Sequence, residues 1–157
     1  MAATRRKPRG RPYNRPIVAA QRFATRLHST VYRATGGKVG GRLLGSPVLL
    51  LTTTGRKSGR PRTIPLLYLR DGENLVVVAS NGGTAGDPAW WLNLVADPEA
   101  NVEVGGCKLR VRAEEAEGEE RRRLWEQLVQ MYGAYQQYQE RTDRRIPVVL
   151  LRHIGQI

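Results

Sequence analysis

A chain of 157 residues, 40% hydrophobic and 25% charged, has the size and composition of one globular domain rather than of a disordered chain. No apolar run approaches the ~20 residues of a membrane-spanning helix. A single cysteine, Cys107, excludes an intrachain disulfide framework and a cysteine-based zinc site. The net charge of +12 is lopsided, because residues 1–70 hold 16 Lys/Arg and no acid, whereas residues 71–157 hold 10 Lys/Arg and 14 Asp/Glu. Such polarity points to an anionic partner: nucleic acid, an anionic membrane surface or a polyanionic small molecule. The excess of arginine over lysine, 22 against 4, fits a GC-rich genome as well as a function.

Residues 1–16 form a basic, proline-rich tail expected to be disordered. Arg5-Arg6 invites a twin-arginine reading, but no apolar stretch follows, so a signal peptide is rejected. Over residues 17–34 the apolar positions Ile17, Ala20, Ala24, Leu27, Val31 and Ala34 recur at three- and four-residue steps, which predicts an amphipathic helix. It reads first as a helix docked on the domain. A basic amphipathic helix can also lie on an anionic membrane. Gly36-Gly37 and Gly40-Gly41 predict a flexible connection, so residues 17–40 are taken as helix plus linker and 41–157 as the domain.

Pro47–Thr54 reads as a buried strand, Gly55–Gly59 as a turn, and Thr63–Arg70 as a second strand closed by Asp71-Gly72. Asn74–Ser80 is a third. The connections are too short for crossovers, so the three should form an antiparallel meander. A glycine-rich loop, Asn81–Gly86, precedes a short helix over Asp87–Val95, with Asp87 as its cap and Pro88 in its first turn. Strands are expected at Ala100–Val104 and Lys108–Ala113, a helix over Glu117–Tyr132, and a last strand at Ile146–Leu151. Six strands with few helices predict a mainly β, small antiparallel barrel with flanking helices.

Four places could carry chemistry. Gly55-Arg56-Lys57-Ser58-Gly59-Arg60-Pro61-Arg62 sets four cations and two glycines between two strands, which suits an anion clamp. A solvated basic hairpin turn explains the same residues equally well, and the spacing is not that of a Walker A loop. Ser80-Asn81-Gly82-Gly83 leaves a strand through glycines, so a planar ring could approach its backbone, although plain loops share this feature. Trp90-Trp91-Leu92-Asn93 lies on the short helix; sequence alone reads both tryptophans as core. Tyr132, Tyr135 and Tyr138 recur at threes, which would set them on one helix face, at core or rim. Cys107 reads as a strand residue, and His28 and His153 receive no role. With no paired acid/base set and no metal-ligand spacing, no metal site is expected, and chemistry carried by a bound cofactor fits best.

These segments, with Leu50–Arg62, Pro65-Leu66 and Leu69–Gly72, occur in an order that resembles the deazaflavin-dependent nitroreductase family, whose members are also described as F420H2-dependent quinone reductases. The resemblance runs from about Gly41 to Leu151. It implies a split β-barrel of the flavin-reductase and FMN-binding type. It also implies reduced coenzyme F420 as hydride donor to a quinone-like or nitroaromatic acceptor. By that resemblance Arg56, Lys57, Ser58 and Arg62 hold the phosphate and oligoglutamate tail of F420. Thr63, Ile64, Pro65, Leu66, Leu67, Val78, Ala79, Ser80, Asn81, Ala89, Trp90, Trp91, Leu92, Asn93 and Tyr135 line the deazaflavin. Ser80, Tyr135 and Tyr138 stand near the reacting carbon and acceptor. The chain departs from the nitroreductase pattern at Ile64, where that pattern has Asn, and at Leu67, where it has Tyr; Tyr68 stands one step on, on the opposite side of a strand.

Two other readings compete: an FMN- or haem-binding split-barrel protein, and a basic nucleic-acid-binding protein. The second suffers from an acidic C-terminal half and from aromatics not interleaved with the cations, so no nucleic acid is expected. The expected setting is cytoplasmic, at the inner face of the membrane if residues 1–34 bind anionic lipid, as a monomer or homodimer.

Overall fold

The computed structural model describes residues 15–157. The tail expected over residues 1–16 therefore lies outside the described residues, apart from Arg15 and Pro16, which open helix α1 (Arg15–Ala34). The helix does not lead into a flexible linker. Gly37 N–H caps it on Tyr32 O at 2.8 Å, with φ of +81° that favours glycine, and His28 Nε2 lies 2.9 Å from Gly40 O. Tyr32 is buried, and its hydroxyl shares its proton between Val48 O and Glu103 O while accepting from Gly105 N at 3.1 Å. Arg33 Nε adds a 2.9 Å ion pair to Glu103. The glycines thus make a capped turn that holds the helix against the domain.

The strands are β1 (Arg42–Leu43), β2 (Ser46–Thr54), β3 (Pro61–Leu67), β4 (Leu69–Asp71), β5 (Asn74–Val78), β6 (Glu99–Val104), β7 (Cys107–Glu115) and β8 (Val148–Gln156). All pairings are antiparallel, in the order β1-β2-β6-β7-β8-β5-β4, with β3 on the free side of β2. The strand predicted over Thr63–Arg70 is broken at Tyr68, whose N–H turns to Pro47 O at 3.1 Å. Its first part pairs with β2 (Val48 opposite Leu67) and its second with β5 (Leu69 opposite Val76). The antiparallel meander holds, with its middle strand bent: that one segment touches both ends of the sheet and curls it into a barrel.

Alternation along the strands makes two cores. Leu49, Leu51, Leu75, Val77, Val102, Val111, Val149 and Leu151 fill the barrel with Trp90 and Trp91. Val76, Val78, Val148 and Leu150 face outward and pack under helix α3 (Gly118–Met131) through Leu124 and Leu128, and under helix α4 (Ala134–Glu140) through Tyr135. Helix α2 (Ala89–Ala96) packs Trp90, Trp91 and Leu94 onto the barrel core. Asp87 does not cap it, as the sequence suggested; Pro88 occupies that position, and the Asp87 carboxylate pairs with Arg144 at 2.9 Å. The predicted single tyrosine face is also corrected, because α3 ends at Met131 and the chain turns at Tyr132-Gly133 before α4 begins.

Candidate functional site

The β2–β3 turn is tight and cationic. Gly59 N donates to Gly55 O at 2.7 Å, Gly55 N donates to Arg60 O at 2.8 Å, and Ser58 Oγ accepts from Arg60 N at 3.2 Å. A Cβ on Gly55 would lie 2.8 Å from Ser58 Oγ and 3.1 Å from Arg60 O, so the turn closes only around a glycine. Arg56, Lys57, Arg60 and Arg62 are all exposed, and none is in an ion pair among the described residues. Uncompensated like charges at one turn are costly to hold together without a counter-ion.

Asn93 fixes this turn to α2. It is only 4% exposed, its Oδ1 accepts from Arg56 N at 3.1 Å and Arg56 Nη1 at 3.3 Å, and its Nδ2 donates to Thr53 Oγ1 at 3.0 Å. Two segments selected from sequence for separate reasons are therefore one unit. Trp90 and Trp91 are both buried in the barrel interior, Leu92 is half-buried and Ala89 exposed. Beside the turn a cavity of about 290 Å3 is lined by Thr52, Thr54 and Arg110 and also by Asp97 and Glu99. Glu99 is paired with Arg110 at 3.1 Å, and the cavity's Thr52 hydroxyl lies 2.8 Å from that of Thr63 on β3, so the cavity opens on the same face as the outward side chains of β3.

That face continues along β3. Thr63, Pro65 and Leu67 form its half-buried outward row, beside α1, where Arg33 Nη2 lies 3.4 Å from Thr63 Oγ1. Ile64 and Leu66 point the other way and pack on the barrel core with Tyr68. The run of five residues predicted to line a ring is thus split between two faces, as strand alternation requires.

The far end of this ribbon meets the tyrosines. Ser46, which opens β2, lies 3.4 Å through its Oγ from Met131 O, next to Tyr132. The rings of Tyr132 and Tyr135 stand edge-on at 5.0 Å, Tyr135 and Tyr138 at 6.3 Å, and the hydroxyls of Tyr132 and Tyr138 are 3.2 Å apart. Burial, reinforced by its two tyrosine neighbours, raises the Tyr135 pKa well above the ordinary phenol value, and the Tyr138 hydroxyl raises that of Tyr132. At neutral pH the Tyr135 phenol is therefore a hydrogen-bond donor, not a base. Val78 and Ala79 are buried, and the chain then leaves through Ser80 and a 3-10 turn at Asn81–Gly83. A Cβ at Gly83 would come within 2.7 Å of Tyr138 O, so this loop sits directly against α4.

Sequence reasoning missed Arg144 and Gln139. Arg144 binds the backbone of Ala79, Ser80 and Thr84 as well as Asp87, and Gln139 holds the Arg144 loop to α4. Nothing in the local sequence marks either one, because their partners lie 57 to 65 residues away for Arg144.

Comparison with known proteins now bears on this arrangement. The model of the F420H(2)-dependent quinone reductase family matches residues 24–153. The chain belongs to that family. An F420H(2)-dependent quinone reductase of Mycobacterium tuberculosis is 44% identical over 131 residues, covering 80% of this chain and 87% of the relative. A solved F420-H2-dependent reductase, FDR-A, is 41% identical with a TM-score of 0.63, covering 68% of this chain and 94% of that one. A domain-swapped dimer is 34% identical with a TM-score of 0.65 and covers 88% of this chain and 100% of that one. The haem storage protein HutZ of Vibrio cholerae, at 14% identity and a TM-score of 0.53, shares the split-barrel fold alone. The expected fold and family both hold: the reductase is an oxidoreductase of the split-barrel class, and reduced F420 is the family's cofactor.

The residues present fit that cofactor. Its phosphate and oligoglutamate tail are anionic, and the turn offers four exposed cations, none in an ion pair among the described residues, around a glycine-closed backbone. Its ring needs a flat, largely apolar bed, which the Pro65 and Leu67 side of β3 supplies.

Proposed function

We propose that this reductase passes a hydride to a quinone-like acceptor held between the outer face of β3 and the tyrosines of α3–α4. One observation carries the reading. The β2–β3 ribbon has the cationic turn at one end and Ser46, bonded beside Tyr132, at the other. Seven residues of β3 make about 20 Å at the usual rise of a strand, the length needed to lay out a phosphorylated ring cofactor. Arg56, Lys57, Ser58 and Arg62 would hold the phosphate and carboxylates. Thr63, Pro65 and Leu67 would support the ring, and the Ser80–Asn81 backbone would border it. When bound, reduced F420 supplies the hydride at C5 of its ring.

What the chain itself contributes is orientation and a proton. The clamp and bed fix one reactant, and the tyrosines and the Ser80 loop fix the other, which converts an encounter into a positioned reaction. Tyr135, held neutral, can donate its O–H toward the carbonyl oxygen being reduced, and the hydroxyls of Tyr132 and Tyr138, 3.2 Å apart, belong to the two rings packed against it. Leu67 gives an apolar wall that suits a quinone. Nitroaromatic acceptors would use the same bed. Titration of the purified protein with oxidised F420, read by cofactor fluorescence with FMN in parallel, tests the reading. Tight F420 binding that weakens in Lys57→Ala/Arg62→Ala is expected; FMN binding without an F420 response would overturn it.

A second feature favours contact with anionic lipid. Leu27, Val31, Val39, Leu43 and Leu44 are exposed, Leu44 at 70%. Leu44 and Gly45 form a two-residue hairpin turn with φ of +53° and +79°, a conformation that costs a leucine about 1 kcal/mol. An exposed apolar side chain at a strained tip, in a region without acids, suits insertion at a membrane surface that supplies lipophilic quinones. Liposome sedimentation should be lost in Leu43→Ser/Leu44→Ser with soluble-acceptor turnover intact; unchanged sedimentation discards the idea. A second copy covering the same patch, as a homodimer, would appear in sizing by light scattering.

A further inference from the structure

Arg144 stands in the loop between α4 and β8, outside every segment assigned above to the clamp or the bed. Its side chain is 13% exposed. Nε donates to Thr84 O at 2.9 Å, both Nη atoms lie 3.1 Å from Ala79 O, Nη2 donates to Ser80 O at 2.8 Å, and Nη1 donates to Asp87 Oδ1 at 2.9 Å. These five contacts use the full complement of guanidinium N–H groups. The acceptors are not a random set. β5 ends at Val78, and beyond it Arg144 supplies donors to the carbonyls of Ala79 and Ser80, the latter also accepting from Gly83 N at 2.9 Å within the loop. Asp87 precedes α2, whose Asn93 holds the cationic turn.

The backbone that presents this guanidinium is itself fixed to α4. Gln139 Nε2 donates to Arg144 O at 2.9 Å, Gln139 Oε1 accepts from Ile146 N at 3.0 Å, and Arg144 N donates to Thr142 Oγ1 at 3.3 Å. Gln139 follows Tyr138 directly, and Gly83 abuts the Tyr138 backbone. A continuous clasp therefore runs from the tyrosine helix through Gln139 and Arg144 to the Ser80 backbone.

We propose that Arg144 is a positioning residue that sets the spacing between the Ser80–Asn81 backbone and the tyrosines of α4, and with it the geometry in which acceptor meets cofactor. The proposal rests on the function given above. Arg144 touches neither partner and acts only through the backbone it holds. Lysine can keep the charge pair with Asp87, but one ammonium cannot reach four acceptors set out for a planar fork. The cationic turn, tied down separately by Asn93, should not feel the change.

The test compares wild type with Arg144→Lys, Arg144→Ala and, as a variant that keeps the guanidinium, Gln139→Ala. Amide hydrogen exchange of the unliganded proteins is the readout independent of turnover. In Arg144→Lys, peptides spanning residues 79–88 should exchange at least tenfold faster, while those of β2–β3 and α3 are unchanged. With reduced F420 and menadione as the probe quinone, kcat should fall at least tenfold while the F420 Kd stays within threefold. Gln139→Ala should lower kcat in the same sense, and millimolar guanidinium should restore part of the lost kcat in Arg144→Ala. Unaltered exchange over residues 79–88, or a kcat within twofold of wild type, would overturn the proposal. So would a uniform rise in exchange across the domain with parallel loss of Kd and kcat, which marks a general fold clamp. Should Arg144→Lys fail to fold, Gln139→Ala carries the same comparison. Wild type that binds no F420 would overturn the functional reading instead, and the exchange pattern would then judge Arg144 alone.

Discussion

At the cationic end of the β2–β3 ribbon, Arg56, Lys57, Arg60 and Arg62 are exposed and unpaired among the described residues, and a single buried amide, Asn93, holds the turn that bears them. At the tyrosine end the phenol of Tyr135 is 5% exposed, three rings touch edge-on, and the facing loop is pinned by the five N–H groups of Arg144. On the function proposed, the contrast separates binding from orientation. Long flexible cations tolerate a ligand of variable length, such as an oligoglutamate tail, because charge attraction needs little geometry. Rigid rings and a pinned backbone suit the reacting end, where a displacement of an ångström matters.

Lys57→Ala/Arg62→Ala puts the largest expected effect on this division. At about 1.5 kcal/mol for each charge-assisted hydrogen bond, the Kd for F420 should rise on the order of 100-fold. The thermal midpoint should hardly move, since exposed cations contribute little to stability. Fluorescence titration at two salt concentrations checks this, and salt-independent binding would break the contrast. Asn93→Ala should act on both quantities, because it leaves Thr53 without its buried partner and frees the turn. A loss of about 2 kcal/mol in a urea titration is expected, with F420 affinity about tenfold weaker.

Gly83→Ala should do the reverse of the charge variant. At φ of +75° and 2.7 Å from Tyr138 O, an added Cβ must push the loop off α4. Stability should fall by about 2 kcal/mol, with turnover lost and F420 affinity kept; measuring Kd and kcat on the same preparation separates the two. Tyr135→Phe keeps the ring and removes only the O–H. The midpoint should shift little, while kcat falls on the order of tenfold as one positioned proton donor is lost.

The smallest effect concerns pH. The folded state raises the pKa of Tyr135 and, through burial, of Tyr32. The native state thus retains protons that the unfolded chain releases above a pKa of about 10. Their contribution to stability is fully present below pH ~10 and is lost as pH rises above it. Urea midpoints from pH 8 to 11 should be flat and then decline, less steeply in Tyr135→Phe.

Local sequence made much of this legible. The turn at Gly55–Gly59 could be read because glycines and cations act where they stand, and β2 and β5 because buried strands are short and apolar. The break at Tyr68 could not, since nothing in Leu67-Tyr68-Leu69 differs from a continuous strand; the bend follows from pairing with β2 on one side and β5 on the other. Asp87 was misread as a cap for a related reason. Capping is a local option, and Arg144, distant in sequence, offered the carboxylate a stronger partner. The tyrosine spacing was misassigned to one helix, yet the three rings still gather, because the turn at Gly133 brings α4 back against α3.

By itself the sequence determined the composition of the candidate site: a basic, glycine-closed turn, a short apolar strand and an aromatic set, each written in contiguous residues whose propensities and charges need no distant partner. The tertiary structure alone decided which of those residues share a face. It also decided that one arginine, unmarked in the sequence, ties the Ala79–Asp87 segment to the loop after α4. Those properties depend on strand pairing and on backbone carbonyls beyond the end of β5, and neither is encoded within a window of a few residues.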